Sequence, residues 1–244
     1  EAYYTEREVP DLKCPVHQKN LDFLKEESYF FKLSKYQNKL LNFYKNNKNF
    51  ISPLYRKKEI INRFNEGLKD LSISRTNTNW GIELPFDKKH RCYVWFDALT
   101  NYLTGVGALE NKKLFKKFWP ADLHIIGKDI LWFHTVIWPA MLMSAGYELP
   151  NKVYAHGWLT FNDRKIGKSA GNAADIDELI KKFGVDSIRY FLFKVTSFGD
   201  DGEYNEETLI NRNNELANKL GNLVSRVLNL AEKNEIEKTE KIKK

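Results

Sequence analysis

The stretch Val153–Asn172, VYAHGWLTFNDRKIGKSAGN, joins a β-prone run to a flexible cationic turn. The run is rich in β-branched and aromatic residues, and it predicts one strand, KVYAHGWLTF, that ends in the polar turn Asn162–Asp163. Lys165 and Lys168 follow among small residues that restrict the backbone little, with Ser169 beside the second lysine. Two ammonium groups and several backbone N–H groups in such a loop can surround a polyphosphate. A solvated basic loop is the alternative that this pattern alone leaves open.

Strand and helix patterns alternate on both sides of this stretch. Amphipathic periodicity predicts helices within residues 29–72, separated by a break at Pro53, and short strands with turns within 73–104. Residues 105–121 are basic and polar and predict a loop. Alternating β and α patterns from residue 88 to about 190 are typical of an α/β fold with part of a parallel sheet. Ligands of such sheets bind at the carboxyl ends of the strands.

A long helix is predicted from Thr208 onward. Apolar residues recur there at alternating spacings of four and three, which places them on one helical stripe. They are Leu216, Leu220, Leu223, Val227 and Leu230.

Composition excludes several classes of protein. The 244 residues are 42% apolar and 14% aromatic, which is typical of a globular protein with a sizeable core. A net charge of +7 favours polyanionic partners. The 2 cysteines argue against a disulfide framework and for a reducing compartment. Because His134 and Pro139 interrupt the most apolar segment, no membrane span is expected.

Two short helical segments predict a pocket for an uncharged, polarisable side chain. Their aromatic and apolar residues lie at helical spacing, at Trp95, Ala98 and Tyr102 in the first segment and at Ile130, Phe133 and His134 in the second. A thioether packs well at aromatic edges and can accept from an imidazole N–H. Ordinary core packing is the alternative.

The segment RKIGKSAGN resembles the lysine loop, KMSKS, of class I aminoacyl-tRNA synthetases, although Ile166, Gly167 and Ala170 depart from the usual residues. Nearly the whole chain resembles methionyl-tRNA synthetases in particular. The segments that carry this resemblance are EAYYTERE, EESYFFKLSKYQ, SISR, WGIELP, VWFDALTNYLTG, HIIGKDILWFHTVIWPAMLMSAG and ANKLGNLVSRVLNL.

The resemblance implies the second half of a Rossmann-like parallel sheet, with part of a connective insertion and the start of an α-helical anticodon-binding domain. The implied parts are 1–28 for the end of the zinc-knuckle-like insertion, 29–172 for the catalytic half, 173–206 for a stem-contact region and 207–244 for the anticodon helices. No His-x-Gly-His sequence occurs in the chain. An N-terminal half carrying that motif is therefore expected as a partner, and we expect no adenylation by this chain alone.

In that family the positions matching Trp95, Ala98, Tyr102, Ile130 and His134 line the methionine pocket. The predicted pocket also includes Phe133 and Leu99, the latter at a position where other members have Pro.

A Gly turn at the end of a strand, followed by a helix, directs backbone N–H groups towards an anion. Gly127 and Asp129 form such a turn, and the resemblance implies that Asp129 accepts from ribose hydroxyls. It also implies that His156 and Gly157 lie near the adenine of ATP.

Adenylation is an in-line attack of the methionine carboxylate on the α-phosphate, so the protein must align the reactants and neutralise phosphate charge. Lys168, with Ser169 beside it, is the first candidate for that role and Lys165 the second. Arg75 matches a family arginine near the pyrophosphate, and a surface salt bridge is its alternative. The ATP would be bound as its Mg²⁺ complex.

Two further sites follow from residue pairs. Asn222 and Arg226 lie at i, i+4 off the leucine stripe and can bond or stack on splayed bases, and the family reads the anticodon at these positions. Cys14 and His17 form a C-x-x-H pair, which is half of a Zn²⁺ site if ligands precede Glu1, and an unmetallated turn otherwise.

The leading interpretation is a methionine–tRNA ligase that uses ATP, methionine and tRNA(Met), located in the cytoplasm, with an organellar location left open. A non-catalytic tRNA-binding module derived from a class I synthetase is the alternative. A class I synthetase for leucine, isoleucine or valine is a third interpretation.

Overall fold

The computed structural model describes residues 11–13, 20–21, 26–161, 164–166 and 175–235. The chain divides into two compact units. Unit 1 comprises Glu1–Leu40 and Glu66–Phe118, and unit 2 comprises Leu41–Asn65 and Trp119–Lys244. Among the helices described, none is both long and apolar enough to cross a membrane.

The strands are short and spread over both units. They are β1 (Phe30–Phe31), β2 (Ile51–Ser52), β3 (Leu71–Ser72), β4 (Ser74–Arg75), β5 (Glu83–Leu84), β6 (Asp87–Cys92), β7 (His124–Gly127), β8 (Val153–His156), β9 (Leu159–Phe161), β10 (Arg164–Lys165) and β11 (Gly202–Glu203).

The α-helices are α1 (Gln37–Asn46), α2 (Leu54–Phe64), α3 (Val94–Ala98), α4 (Asn101–Thr104), α5 (Lys112–Phe118), α6 (Trp138–Ala145), α7 (Ile176–Phe183), α8 (Val185–Lys194), α9 (Glu206–Glu215) and α10 (Asn222–Lys233). The two helices predicted on either side of Pro53 are confirmed as α1 and α2.

Unit 1 contains an antiparallel sheet in the order β4-β6-β5 and the antiparallel pair β1-β3. The loop predicted within residues 105–121 is wrong in part, because α5 occupies Lys112–Phe118. Asn111 favours that helix, since its side-chain oxygen accepts from the Leu114 backbone N–H in the first turn.

The helix predicted to carry Ala98 and Tyr102 together is broken into α3 and α4. Side chains between α3 and α4 donate hydrogen bonds to backbone carbonyls. The Thr100 hydroxyl donates to the Asp97 carbonyl at 2.7 Å, and the Asn101 amide donates to the Ala98 carbonyl. Such local bonds compete with the regular helical pattern and tighten this turn.

Unit 2 confirms the predicted α/β fold, with a parallel sheet in the order β2-β8-β7. The register pairs Ile51 with Val153, and Gly127 with His156. Val153, Ala155, Ile51 and Ile126 are buried, as expected for a sheet covered by helices.

The strand KVYAHGWLTF is not continuous, so this prediction is wrong. β8 ends at His156, and β9 belongs to a second sheet in the order β10-β9-β11. A Cβ atom at Gly157 would stand 2.1 Å from the backbone oxygen of Asp200, so only glycine lets the chain pass there. Beyond this crossing, the Trp158 carbonyl accepts from the Gly202 N–H at 2.9 Å.

The chain after β7 forms one helical segment of mixed geometry. Lys128–Ile130 is a 3₁₀ turn and Phe133–Ile137 a π turn, and α6 continues to Ala145. Gly146, with a φ of 75°, ends the helix in the left-handed conformation that favours glycine.

The long helix predicted from Thr208 is confirmed as α9, a π turn at Leu216–Gly221, and α10. Asn205 caps its start by accepting from the Thr208 N–H at 2.7 Å. The apolar stripe of α10 is exposed in the part of the chain that the structure describes. The preceding helices bury a small core around Ile188, Phe191 and Leu209.

Candidate active site

The carboxyl edge of the parallel sheet brings two turns side by side. Gly127 and His156 end neighbouring strands in the same register, and Asp129 and Gly157 follow them. A Cβ atom at Gly127 would stand 2.6 Å from an oxygen of Asp129. Glycine at that position therefore leaves room for the Asp129 carboxylate to fold back over the strand end.

The Asp129 carboxylate has two side-chain donors. Lys165 Nζ donates to Oδ2 at 2.7 Å, and Trp158 Nε1 donates to Oδ1 at 3.3 Å. Partial burial raises the pKa of Asp129, but the hydrogen bonds from Lys165 and Trp158 outweigh it and hold the pKa below its ordinary value. The carboxylate therefore stays ionised and acts as an acceptor.

Lys165 reaches Asp129 because of a hairpin. Lys165 pairs with Thr160 in the antiparallel β9-β10 ladder, and the Ile166 N–H donates to the Leu159 carbonyl at 3.0 Å. These bonds fix the first lysine of the predicted phosphate loop next to the predicted ribose-binding residue. Lys168 and Ser169 lie outside the described residues.

Sequence reasoning missed a second ion pair and the ring that joins it to the first. Lys128 Nζ contacts Asp201 Oδ2 at 2.5 Å, and the Trp158 backbone N–H donates to Asp201 Oδ1 at 2.8 Å. The ammonium groups of Lys128 and Lys165 lie 4.1 and 4.7 Å from the centre of the Trp158 ring. Asp201 had only the signal of an acidic turn, and no local pattern connects it to residue 158.

Trp158 lines two cavities of unit 2. One, of about 310 Å³, is bounded by His156, Gly157 and largely apolar residues of α8 and the segment after it. The other, of about 270 Å³, lies against α2 and is lined by Arg56, Glu59, Ile60, Arg63, Lys128, Asp129, Leu131 and Trp132. Both open next to the strand ends where ligands of parallel sheets bind.

His134 is buried in the π turn, with Ile130 and Phe133 partly buried nearby. Its Nδ1 lies 3.0 Å from the Ile130 carbonyl. A carbonyl only accepts, so Nδ1 carries the proton, and Nε2 is an acceptor in the neutral ring. Burial lowers the pKa of His134, which keeps the ring neutral. The predicted N–H donation to a thioether is therefore not available from Nε2 of this neutral ring.

The remaining predicted methionine-pocket residues belong to unit 1. Trp95 and Ala98 are half-buried on α3, and Tyr102 is half-buried on α4. Burial raises the pKa of Tyr102. Leu99 is buried, with an exposed fraction of 1%.

The side chain of Arg75, also in unit 1, contacts three nearby residues of the same unit. Its Nη1 donates to the Ser72 hydroxyl at 2.6 Å and to the Ser74 carbonyl at 2.7 Å, and its guanidinium lies 4.4 Å from the centre of the Tyr93 ring.

Asn222 and Arg226 are both exposed on α10, one helical turn apart. Cys14 and His17 lie outside the described residues. Within the described part of the chain, no group of 3 or more His, Cys, Asp or Glu residues could hold a metal ion.

Together, the parallel sheet and the Gly-turn carboxylate with its paired lysine define an α/β protein with charged groups at the carboxyl edge, where ligands of such sheets bind. The family model described as tRNA synthetases class I (M) matches residues 2–228. The chain belongs to this family.

Curated relatives support the same assignment. Methionine–tRNA ligase of Caldanaerobacter subterraneus subsp. tengcongensis is 51% identical over 96% of this chain and 37% of its own length. Methionine–tRNA ligase of Rickettsia conorii is 49% identical over 96% of this chain and 46% of its own length. The chain therefore spans less than half the length of these relatives.

A solved structure has the same fold. Mycobacterium tuberculosis methionyl-tRNA synthetase in complex with methionyl-adenylate matches with a TM-score of 0.82 and 49% identity, over 89% of this chain and 43% of that one.

Proposed function

We propose that the chain is part of a methionine–tRNA ligase, which activates methionine with ATP and transfers it to tRNA(Met). The observation that carries this proposal is the Asp129–Lys165 pair at the carboxyl edge of the parallel sheet, 2.7 Å apart. This contact supports the proposal because it joins the carboxylate that would accept from ribose to the ammonium group that would bind phosphate. The curated relatives bear the name of this activity.

In this proposal Asp129 accepts from the ribose hydroxyls of ATP. Gly127 allows the close approach, and His156 and Gly157 border the adenine. The two cavities beside Trp158 leave space for a nucleoside at this edge. Lys165, Lys168 and Ser169 would neutralise the phosphates of the Mg²⁺–ATP complex as pyrophosphate leaves. Arg75 stays a separate candidate for the pyrophosphate, which the family resemblance alone suggests.

The residues that we propose for methionine binding are, in unit 1, Trp95, Ala98, Leu99 and Tyr102 and, taken separately in unit 2, Ile130, Phe133 and His134. Half-buried aromatic and aliphatic side chains suit an unbranched thioether. The neutral His134 ring adds no charge to such a pocket, so charged amino acids are disfavoured there.

The tRNA would be read by Asn222 and Arg226, whose exposed side chains can bond and stack on splayed bases. Zinc at Cys14 and His17 stays a proposal that depends on two further ligands. The cytoplasm is the proposed location.

Ligand-dependent thermal stabilisation tests the proposal. Methionine should raise the melting temperature of the chain more than leucine, isoleucine or valine, and ATP should raise it in wild type but not in Asp129→Ala. The non-catalytic alternative, an RNA-binding module, predicts stabilisation by tRNA(Met) and none by methionine. A larger effect of leucine, isoleucine or valine would favour another class I synthetase.

A further inference from the structure

Trp158 contacts both ion pairs of the candidate site. Its ring lies under the ammonium groups of Lys128 and Lys165, and its two N–H groups donate to Asp129 and Asp201. A single residue therefore joins two cations and two carboxylates that come from three separate parts of the chain.

The Asp129–Lys165 pair would be weak without such support. The two side chains are 40% and 48% exposed, and ion pairs this accessible exchange readily with water. The aromatic ring adds a second attraction for the ammonium group, and the indole N–H fixes the other carboxylate oxygen.

Trp158 is in turn anchored on its other side. Its backbone N–H donates to Asp201, which also holds Lys128, and the Lys128 side chain is only 17% exposed. The hydrogen bonds from Lys128 and Trp158 lower the pKa of Asp201, so this anchor keeps its charge. The backbone bond to Asp201 therefore fixes the position of the Trp158 ring beside Lys165.

We propose that Trp158 is a positioning residue, which holds the Lys165 ammonium group on the Asp129 carboxylate until a ribose takes that carboxylate and releases Lys165 to the phosphates. The second half of this inference rests on the function proposed above. A ribose diol binds a carboxylate most fully when each hydroxyl donates to a different oxygen, and here each oxygen already accepts from one side chain. The diol therefore competes at Oδ2 with the Lys165 ammonium group, and displacement of Lys165 by this competition is the step that the exchange requires.

The first half is tested without any nucleotide, by following the Asp129 carboxyl resonance of the ligand-free chain through a pH titration by NMR. Lys165→Met should raise the pKa of Asp129. Trp158→Leu should raise it too, and by less in the Lys165→Met background, because part of its effect passes through Lys165. Trp158→Phe, which keeps a ring but loses the N–H, should fall between wild type and Trp158→Leu.

The control is Trp80→Leu, which removes an indole that is 86% exposed in unit 1 and should leave the Asp129 titration unchanged. Equal effects of Trp158→Leu in the two backgrounds would show that the ring does not act through Lys165, and would overturn the positioning role.

The second half is tested with adenosine and ATP as probes, by calorimetry. Lys165→Met should bind adenosine about two- to five-fold more tightly than wild type, because no ammonium group competes with the ribose, and should bind ATP more weakly. Unchanged or weaker adenosine binding would overturn the exchange. If wild type binds neither probe, the exchange fails together with the proposed function, while the Asp129 titration still decides the role of Trp158.

Discussion

The hydroxyl group of Tyr44 donates a hydrogen bond to the backbone carbonyl of Thr135, and both residues are buried. Pro139 lies four residues after Thr135 and has no N–H, so it cannot give that carbonyl the bond of a regular α-helix. Tyr44 supplies a donor from α1. The helical segment after β7, which carries Asp129 and His134, is thereby joined to the rest of unit 2.

Tyr44→Phe should lower the free energy of unfolding by about 1–3 kcal/mol, because it leaves a buried carbonyl unsatisfied without changing the ring packing. Denaturant unfolding measures this. Tyr36→Phe is the control, since the Tyr36 ring stacks on Phe31 and its loss of a hydroxyl should cost much less. Equal effects of the two substitutions would contradict the role of the Tyr44 hydroxyl.

Gly157→Ala should destabilise the chain strongly and disturb the crossing between β8 and β9, because the new methyl group meets the backbone of Asp200. Gly221→Ala is the matched control. A Cβ atom at Gly221 meets nothing within 4 Å, and its φ and ψ are helical. This control should stabilise by about 0.5–1 kcal/mol. Thermal melting of both variants compares them, and a neutral Gly157→Ala would argue against the close approach.

Acid should destabilise unit 2 through its buried imidazoles. Burial, together with the nearby His134, lowers the pKa of His124 to about 4 from its ordinary 6.5. Between those values the unfolded chain binds the proton and the folded chain does not, so stability present above pH 6.5 is lost as pH falls towards 4. The full effect of this group is on the order of 3 kcal/mol at most.

Urea unfolding from pH 7.5 to 4.5 measures this loss. His124→Gln, which does not titrate, should show a shallower decline than wild type over the same range. If the free energy of unfolding declines equally with pH in wild type and His124→Gln, protonation of His124 does not contribute to the loss of stability.

Asn222→Ala and Arg226→Ala should each weaken tRNA(Met) binding by about 5- to 150-fold, because base stacking and bonding contribute about 1–3 kcal/mol per base. Filter binding at fixed salt measures the affinity. The control is Asn214→Ala, at an exposed position of α9. If all three variants bind alike, α10 does not read bases.

Local patterns predicted much of the fold, and contacts distant in sequence account for the rest. The helices around Pro53 and the turn after β7 follow from periodicity and a Gly signal. The break after His156 does not, because the backbone that excludes a side chain at Gly157 belongs to Asp200, far along the chain.

Local sequence patterns also predicted only part of the candidate site. Its members Asp129 and Lys165 were predicted, whereas the ring of Trp158 and the carboxylate of Asp201 were not. Long-range pairing alone brings these groups together. The split between α3 and α4 was missed for a different reason, since side-chain bonds at Thr100 and Asn101 override the apolar spacing.

The most direct test of the proposed function is calorimetric binding of a non-hydrolysable methionyl-adenylate analogue to the chain. We predict saturable binding that is about 10- to 150-fold weaker in Asp129→Ala, since a hydrogen bond to a charged group contributes about 1.5–3 kcal/mol. The leucyl analogue should bind more weakly than the methionyl one. No binding, equal binding of both analogues, or an affinity unchanged by Asp129→Ala would contradict the assignment of this edge as a methionine-activating site.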